Sequence, residues 1–574
     1  MRKPRLCELT LREKIGQMLA PMQWEIWGKD EWHYDFSKSN LASVREILER
    51  EQFGSIRGEQ IGVYFADPDN DEVVRAFESA SEGLNSWFPF RVKPAPYRAF
   101  LTKQARMEKI PPLVGGDCPT GGSNVFEDMS TTVNAPAIGA ANSEELTYAL
   151  GASVARELRH AGLNWRWCPV LDLGNRNEMA VMRTFAMDDP ERTVRLSLAY
   201  IKGMQSEGVA ATAKHFPSLD RSECRDSHFS PVMNSSTMEQ WWAEQGKVYK
   251  AIIDGGVYSV MAGHQAFPAA DDTKINGKYI PSTLSKKIIT GLLKEQLGFG
   301  GVVITDGIGM ASLFSLLPYE ELIVGLVNAG NDVILGAKLC SGEIIERAVL
   351  DGRIPESRID DGCQRVLDMK EKLGLFEDDY YGPLPYTLEE CTEKTRKINE
   401  QIARRSLTLV RDRHGYLPFD KNKIKRVSII ISTHSDKFLT AIEALRDAFL
   451  ERGMEVHMQR RLSGLDDIER VADTSDLIVY AAFVTVHAPQ GMMRLFGEEC
   501  VTFYHAFKAG KERSVGVSFG YPYIHYDSMD NADAFINAYN INPETMRGFV
   551  DAIFGECELE GLSPVLLDPI ANTK

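Results

Sequence analysis

Short apolar runs recur between residues 110 and 336, and stretches long enough for helices separate them. A parallel strand that is buried on both faces reads as a continuous apolar run, so each run predicts such a strand. The alternation of strand and helix predicts a parallel α/β architecture. The runs are Pro112–Gly116, Cys168–Leu171, Val209–Ala213, Val257–Ala262, Val302–Thr305 and Val333–Leu335, and the helical stretches include Ser143–His160, Pro190–Glu207 and Ser282–Leu297.

Polar residues stand at or just beyond the ends of several runs. In a (β/α)8 barrel the active site is built at the carboxyl ends of the strands, and this distribution fits that arrangement. Any one of these residues could instead cap the next helix or complete a turn. The set as a whole favours the mouth of a barrel, and it consists of Asp117, Asp172, Lys214, His215, His264 and Asp306.

The chain divides after Phe376, where a polar, turn-rich stretch with two prolines predicts a linker. A charged helical segment then runs from about Leu388 to Ser406. Beyond it, the strand-like runs Val427–Ile431, Leu477–Phe483 and Val515–Phe519 alternate with the helical patterns Ala441–Arg452 and Pro543–Phe554. We therefore predict a barrel over 1–375, a linker and connecting helix over 376–405, and a smaller α/β domain over 406–574.

Charge and composition restrict the partners and the compartment. The 65 basic and 81 acidic residues give a formal net charge of −16, which argues against binding to nucleic acid or anionic lipid. No run approaches the roughly 20 apolar residues of a membrane helix, and the first residues lack the apolar core of a signal peptide. Nine cysteines without a C-x-x-C pair fit reduced thiols. We expect a cytoplasmic protein, a monomer or homodimer, with a small-molecule partner.

The first motif with chemical potential is Lys214-His-Phe-Pro217 followed by Asp226-Ser-His228. A strand that ends in Lys214 and His215 places a cation and a hydrogen-bonding group at the barrel mouth, where they can bind a polar ligand. The next residues predict a polar loop. There Asp226 can accept the imidazole N–H of His228, which would make the pair a general acid and base. The alternative is a solvated loop in which Asp226 makes a turn.

The second motif places Asp306 at the end of a buried strand and beside glycines. A carboxylate that is open on one side can approach a reacting carbon closely, as a nucleophile must. Two other interpretations are a helix cap and a dinucleotide-binding loop. The dinucleotide loop fails because Ser312 stands where its third glycine belongs.

Two further patterns are set aside. Gly516-Val-Ser518-Phe-Gly520 matches a nucleophile elbow, but Pro522 interferes with the helix that must follow, and His525 comes with no acid before it. We interpret Ser518 as structural. His215, His228, His264 and Asp306 could converge on zinc, but no zinc-binding spacing is present and Lys214 would repel the cation. We therefore expect neither a metal nor a cofactor.

Taken together, these segments resemble glycoside hydrolase family 3, and specifically its β-N-acetylglucosaminidase branch, which carries a catalytic Asp-Ser-His loop. The resemblance runs over most of the chain. It rests on Leu9-Thr-Leu-Arg-Glu-Lys-Ile-Gly-Gln-Met18, Pro112-Leu-Val-Gly-Gly-Asp117, Pro169-Val-Leu-Asp172, Arg183-Thr-Phe, Lys214-His-Phe-Pro217, Asp226-Ser-His228 and Thr305-Asp306, and beyond the linker on Leu407-Thr-Leu-Val-Arg, Leu417-Pro-Phe and Ser518-Phe-Gly with Tyr521-Pro.

The resemblance implies a retaining glycosidase with a TIM-like barrel and an α/β sandwich domain. It assigns Asp306 as the nucleophile and His228 as the general acid/base with Asp226 as its partner. The positions that it assigns to the sugar hydroxyls are Asp117, Arg183, Lys214 and His215, and we add His264 because it stands at a strand end. A neutral histidine in place of the usual second carboxylate repels an anion less, so phosphate could replace water as acceptor.

The sequence departs from the branch at two places. Pro217 is followed by Ser218-Leu-Asp220, where the branch has Gly-His-Gly, and Pro119 replaces a glutamate two residues after Asp117. Either change could alter the sugar preference. The segment from Met22 to Arg91 is longer than expected, and it is rich in aromatic residues that could form an extra wall: Trp24, Trp27, Trp32 and Tyr34.

Three functions stay open at this stage. The first is removal of β-linked N-acetylglucosamine from short glycans or muropeptide-like fragments, by hydrolysis or phosphorolysis. The second is a β-glucosidase whose acid is Glu498 or Glu499 of the second domain, against which the intact Asp226-Ser-His228 argues. The third is a sugar-binding protein without activity, against which the retained Asp306 and Lys214 argue.

Overall fold

A computed structural model describes residues 2–22, 25–26, 41–58, 93–174, 179–433, 438–460, 462, 464–485, 495, 500 and 510–567. Among these residues, the first part of the chain forms eight parallel strands that are connected by helices. The strands are β1 (Leu19–Ala20), β2 (Ser55–Arg57), β3 (Leu113–Gly116), β4 (Trp165–Arg166), β5 (Ala210–Phe216), β6 (Ser259–Ala262), β7 (Val302–Thr305) and β8 (Ile334–Leu335).

These strands close into a ring. Strands β2 to β7 form one continuous parallel sheet in chain order, and β1 pairs with β8. Met22 pairs with Arg57 and thereby joins β1 to β2, while Ile304 pairs with Val333 and joins β7 to β8. The predicted TIM-like barrel is therefore confirmed.

The helices lie mainly between successive strands. The first begins with the expected capping box, in which Thr10 accepts from the Glu13 N–H. The helices are α1 (Leu11–Gly16), α2 (Leu41–Glu51), α3 (Pro94–Ala105), α4 (Ala135–Ala141), α5 (Glu144–His160), α6 (Pro190–Ser206), α7 (Met238–Ala243), α8 (Gln245–Asp254), α9 (Ala311–Phe314), α10 (Tyr319–Ala329), α11 (Ser341–Leu350), α12 (Glu356–Lys372), α13 (Leu388–Ser406), α14 (Leu439–Leu450), α15 (Leu465–Thr474), α16 (Ile524–Asp527) and α17 (Pro543–Ile553).

Alternation along the strands separates the barrel interior from the layer beneath the helices. Side chains at every second position fill the interior, including those of Leu113, Trp165, Ala210, Met261, Val302 and Ile304. The residues between them, such as Val114, Val260 and Val303, pack outward against the helices. The same alternation decides which strand-end side chains project over the mouth of the barrel.

The second part of the chain contains a six-stranded sheet. Its strands are β9 (Thr408–Asp412), β10 (Arg426–Thr433), β11 (Glu455–Gln459), β12 (Leu477–Val484), β13 (Ser514–Gly520) and β14 (Ala534–Asn537). They are ordered β9-β14-β13-β12-β10-β11, and all pairs are parallel except β9 with β14. Apolar clusters cover both faces, so the predicted α/β sandwich domain is confirmed.

The two parts of the chain pack against each other directly. Val181, Met182 and Met187 of the barrel belong to the apolar cluster on one face of the second sheet. Asn134 of the barrel donates to Asn540 through its N–H and to the Tyr539 carbonyl through its amide.

The structure differs from the sequence prediction in two elements. The strand expected at Cys168–Leu171 is only partly formed. The assigned strand β4 ends at Arg166, but Val170 still bridges Lys214 and the Leu171 N–H donates to the Lys214 carbonyl at 2.7 Å. Pro169 has no N–H to donate to a ladder, which interrupts the strand. The helix expected at Ser282–Leu297 is a 3₁₀ turn (Ser282–Leu284) followed by a π-helical stretch, Lys287–Gln296. Trp24, Trp27, Trp32, Tyr34, Glu498 and Glu499 lie outside the described residues.

Candidate active site

The carboxyl ends of β3, β5 and β7 bring charged side chains to one mouth of the barrel. Asp117 follows Gly115 by two positions, Lys214 follows Thr212, and Asp306 follows Ile304. Each residue therefore continues the series that points into the barrel interior. The register of three alternate strands of the ring thus places two carboxylates and a cation over the barrel axis.

Asp117 is held between two cations. Lys214 Nζ lies 2.5 Å from its Oδ1, and the Arg57 guanidinium lies 3.3 Å from its Oδ2. Burial alone would raise the pKa of Asp117, but Lys214, Arg57 and Arg183 outweigh it and hold the pKa well below its usual range. The Arg57 guanidinium also lies 5.5 Å from the ring centre of Trp167. Asp117 is therefore an ionised group with a fixed orientation.

His215 pairs with Asp172. The imidazole Nδ1 lies 2.7 Å from Asp172 Oδ2, and the His215 backbone N–H donates to Oδ1 at 3.2 Å. Burial would raise the pKa of Asp172, but the hydrogen bonds and charge of His215 lower it. Because a carboxylate only accepts, Nδ1 carries the proton in this pair.

His228 and Asp226 form the pair that the sequence predicted. The imidazole Nδ1 lies 2.7 Å from Asp226 Oδ1, and the His228 backbone N–H donates to the same oxygen at 2.9 Å. The pKa of Asp226 is raised by burial but lowered overall, because the hydrogen bonds of His228 and the charge of Arg183 favour the ionised form. The His228 side chain is 32% exposed, whereas that of Asp226 is 10% exposed.

Asp306 is a carboxylate surrounded by cationic and imidazole groups. Its Oδ1 accepts the N–H of Gly307 at 2.8 Å, and its own N–H donates to the Ala262 carbonyl at 2.8 Å. Burial would raise the pKa of Asp306, but His215, His264, His228 and Lys214 together lower it. The neighbouring Gly307 has room at its Cα, since a Cβ built there would meet no atom within 4 Å apart from its chain neighbours.

His264 lies behind this carboxylate and is 2% exposed. Its Nδ1 is 3.0 Å from the Thr283 hydroxyl and its Nε2 is 3.0 Å from the Gly307 carbonyl. Burial lowers its pKa, although Asp306 opposes this. Both ring nitrogens are thus bonded to the protein. These bonds let His264 support the loop after β7, and its expected role in substrate binding stays a prediction.

The acid/base loop, defined here as residues 218–231, is internally braced. Ser218 begins it at φ 73°, a left-handed conformation that is uncommon outside glycine. Asp220 accepts the Ser222 N–H at 2.6 Å and the Ser235 hydroxyl at 2.5 Å. Glu223 accepts the Met233 N–H at 3.1 Å. The departure from Gly-His-Gly thus creates a loop whose carboxylates tie it to the following segment.

Arg183 stands close to two of these groups, since it lowers the pKa of both Asp117 and Asp226. It follows a short 3₁₀ turn, Met179–Met182. The rejected nucleophile Ser518 is fully buried inside β13 and donates its hydroxyl to the Tyr521 carbonyl at 2.5 Å, so its structural interpretation is confirmed.

Sequence reasoning overlooked two contributors. Arg57 was missed because β2 is only three residues long and shows no periodicity. Asp172 stood in the strand-end set but was not assigned a role, and the pairing with His215 could have been anticipated from their neighbouring strand ends. Among the described residues, no group of three or more His, Cys, Asp or Glu is placed to hold a metal ion, and no helix is long and apolar enough to cross a membrane.

The fold and this cluster of strand-end side chains define a two-domain barrel enzyme. Residues 10–369 match the family described as "Glycosyl hydrolase family 3 N terminal domain". This match spans well over half of the chain, which therefore belongs to glycosyl hydrolase family 3. The protein is a glycoside hydrolase.

The names of individual similar proteins are consistent with membership of this family. The chain is 27% identical over 490 residues to a protein of Cellulomonas fimi named β-N-acetylglucosaminidase/β-glucosidase, covering 81% of this chain and 86% of that one. It is 32% identical over 196 residues to a β-hexosaminidase of Stenotrophomonas maltophilia, covering 34% and 55%. Among solved structures, a β-glucoside phosphorylase, BglX, has a TM-score of 0.80 at 25% identity, covering 99% and 95%.

A further structural similarity concerns the fold. A family 3 β-N-acetylglucosaminidase from Paenibacillus has a TM-score of 0.74 at 22% identity, and the alignment covers 97% of this chain and 99% of that one. The agreement over nearly the whole length of both chains supports the two-domain architecture described above.

Proposed function

We propose that this chain is a retaining, exo-acting β-N-acetylglucosaminidase that releases N-acetylglucosamine from short glycans or muropeptide-like fragments. The observation that carries the proposal is the Asp226–His228 pair, with Nδ1 bonded to the carboxylate at 2.7 Å. This bond leaves Nε2 as the nitrogen that gives and takes a proton. Asp306, whose pKa is lowered by the groups around it, supplies the nucleophile.

The first half of the reaction forms a covalent intermediate. A carboxylate oxygen of Asp306 attacks the anomeric carbon while the bond from that carbon to the leaving oxygen breaks. The His228 imidazolium donates its Nε2 proton to the leaving oxygen and becomes neutral. Asp226 keeps the Nδ1–H in place and stabilises the imidazolium by its charge.

The second half returns the enzyme to its starting state. Neutral His228 Nε2 accepts a proton from an incoming acceptor, whose oxygen attacks the anomeric carbon and releases Asp306. Attack from the face opposite the aspartyl bond restores the original anomeric configuration. Asp117, Arg183, Lys214 and His215 bind the sugar hydroxyls in this proposal.

The acceptor is water or phosphate. A neutral imidazole repels an approaching phosphate less than a carboxylate would, and the similarity to a β-glucoside phosphorylase supports the same possibility. With phosphate, an oxygen of the anion forms the new bond to the anomeric carbon and the product is a sugar 1-phosphate. The name of the Cellulomonas relative includes β-N-acetylglucosaminidase beside β-glucosidase, which supports N-acetylglucosamine as the sugar and keeps glucose as the alternative.

The proposal includes the organisation of the chain. We retain the boundaries 1–375 for the barrel, 376–405 for the linker and connecting helix, and 406–574 for the second domain. We also retain a cytoplasmic monomer or homodimer that acts without a cofactor. The net charge of −16 supports a small carbohydrate rather than a nucleic acid as partner.

The test compares p-nitrophenyl β-N-acetylglucosaminide with p-nitrophenyl β-glucoside, each with and without phosphate, for the wild type and His228→Ala. Preference for the N-acetyl sugar supports the proposal, and sugar 1-phosphate among the products identifies a phosphorylase. Preference for glucose with an unaffected His228→Ala variant would instead favour an acid from the second domain. No turnover of either sugar would favour a sugar-binding protein.

A further inference from the structure

Asp188 connects the second domain to the barrel beside the acid/base loop. It lies just before α6, and its side chain is 10% exposed. Its Oδ2 accepts the Leu566 N–H at 2.8 Å and the Tyr523 hydroxyl at 3.3 Å. Leu566 and Tyr523 belong to the second domain. Burial and the charge of Asp188 raise the pKa of Tyr523, so its hydroxyl remains a donor.

The other oxygen of Asp188 holds the acid/base loop. Its Oδ1 accepts the guanidinium of Arg221, which lies between Ser218 and Asp226. Arg221 also donates through Nε to Glu244 at 3.2 Å, at the junction of α7 and α8. One carboxylate thus binds two groups of the second domain on one side and the cation of the acid/base loop on the other.

The loop can transmit this constraint to His228. Asp220, next to Arg221, accepts the N–H groups of Ser222 and Glu223 at 2.6 and 3.2 Å. Glu223 in turn accepts the Arg225 N–H at 3.0 Å. His228 itself accepts the Ala311 N–H through its carbonyl at 3.2 Å. The segment from Arg221 to His228 is therefore cross-bonded along most of its length rather than free to bend.

We infer that the second domain positions the general acid/base of this enzyme through the contact Tyr523/Leu566–Asp188–Arg221. Asp188, Arg221 and Tyr523 are positioning residues, because they act on the reacting atoms only through the acid/base loop. The inference rests on the proposed role of His228. It assigns the second domain a part in catalysis although none of its described residues is needed to touch the sugar.

The test distinguishes misplacement of the general acid His228 from a general loss of enzyme activity. Two β-N-acetylglucosaminides are compared by kcat/KM: a 2,4-dinitrophenyl glycoside, which leaves without protonation, and an alkyl glycoside, which requires it. For Asp188→Asn we expect a loss of about tenfold or more on the alkyl glycoside and less than about twofold on the dinitrophenyl glycoside. For Tyr523→Phe we expect the same pattern with a loss of about threefold.

The matched control is Tyr539→Phe. This change also removes a buried hydroxyl from the second domain, and within the described part of the chain that hydroxyl forms no hydrogen bond with Asp188 or Arg221. This variant should leave kcat/KM unchanged on both glycosides. If Asp188→Asn does not fold, as judged by its circular dichroism, Tyr523→Phe decides the question.

Two results would overturn the inference: equal loss on both glycosides, or no loss on either in Asp188→Asn and Tyr523→Phe. The inference is supported if the ratio of kcat/KM on the alkyl glycoside to kcat/KM on the dinitrophenyl glycoside changes only in these two variants. Failure of the proposed function is a different result, because the wild type would then cleave neither glycoside.

Discussion

Lys214 and Asp117 form an ion pair across the barrel mouth, with Nζ 2.5 Å from Oδ1. The Lys214 side chain is 4% exposed, so its charge acts on Asp117 with little screening by water. The two residues come from β5 and from the end of β3, which are not neighbours in the ring. Their contact therefore fixes the relative position of two strand ends on which the proposed sugar site depends.

Removing this cation should weaken sugar binding in a pH-dependent way. In Lys214→Met, burial acts on Asp117 with only Arg57 and Arg183 to oppose it, so its pKa rises. A carboxylate with a higher pKa is protonated at a higher pH, and the acidic limb of kcat/KM should move upward. We expect KM to rise by about tenfold near neutral pH. The exposed Lys250→Met, which breaks a surface pair with Asp254, should change neither property.

Replacing the proposed nucleophile should separate binding from turnover. Asp306→Asn keeps the size of the side chain but cannot form the covalent bond, so kcat should fall by about a thousandfold or more. N-acetylglucosamine should still bind, as measured by calorimetry. Unchanged turnover would contradict the assignment of Asp306.

Changing the partner of His228 should affect proton transfer specifically. Asp226→Asn removes the charge that stabilises the imidazolium and introduces an NH2 group that can donate to Nδ1, which allows the imidazole to adopt the other tautomer. We expect kcat/KM on an alkyl glycoside to fall by about a hundredfold, with a much smaller change on a dinitrophenyl glycoside. Asp254→Asn, on the surface, serves as the control. Equal losses on the two substrates would argue that Asp226 only maintains the loop.

The buried groups Lys370 and Glu108 predict that the free energy of unfolding depends on pH. Burial lowers the pKa of Lys370 from 10.5 to about 7 and raises that of Glu108. Between pH 7 and 10.5 the unfolded chain binds the lysine proton more readily than the folded one, so this group costs stability as pH falls through that window. The Tm of Lys370→Met should therefore rise relative to that of the wild type as pH is lowered from 9.5 to 7.5, by about 1 °C per kcal/mol for a domain of this size. A constant difference across this range would contradict the lowered pKa.

Much of the barrel could be anticipated because its longer strands are apolar on both faces. Val302–Thr305 and the helix Leu388–Ser406 have the bounds that their patterns predicted. By contrast, β1 and β4 are two residues long, and a strand of two residues has no periodicity to detect. The ring closes through such short strands, so its closure was visible only in three dimensions.

The sequence predicted those contacts of the site that join residues close together in the chain. Asp226 and His228 are two residues apart, and their bond could be predicted from that spacing. The orientation of His264 could not be predicted, because its position at a strand end does not reveal which groups its two ring nitrogens contact. Arg57 belongs to the site because the short strand β2 pairs with β3, although the two strands are distant in sequence. Pairings between strands far apart in sequence thus account for most of what was missed.

The alternation along β5 and β7 has an evolutionary consequence. A single insertion or deletion within either strand would turn Lys214 or Asp306 from the interior series to the helix-facing series and remove it from the site. Changes in length are easier to accommodate beyond Pro217, because residues 218–231 form a loop rather than part of a strand. New specificities in this lineage should therefore arise by remodelling that loop around Asp226 and His228, and directed-evolution libraries should diversify its other residues while leaving this pair and the strand registers untouched.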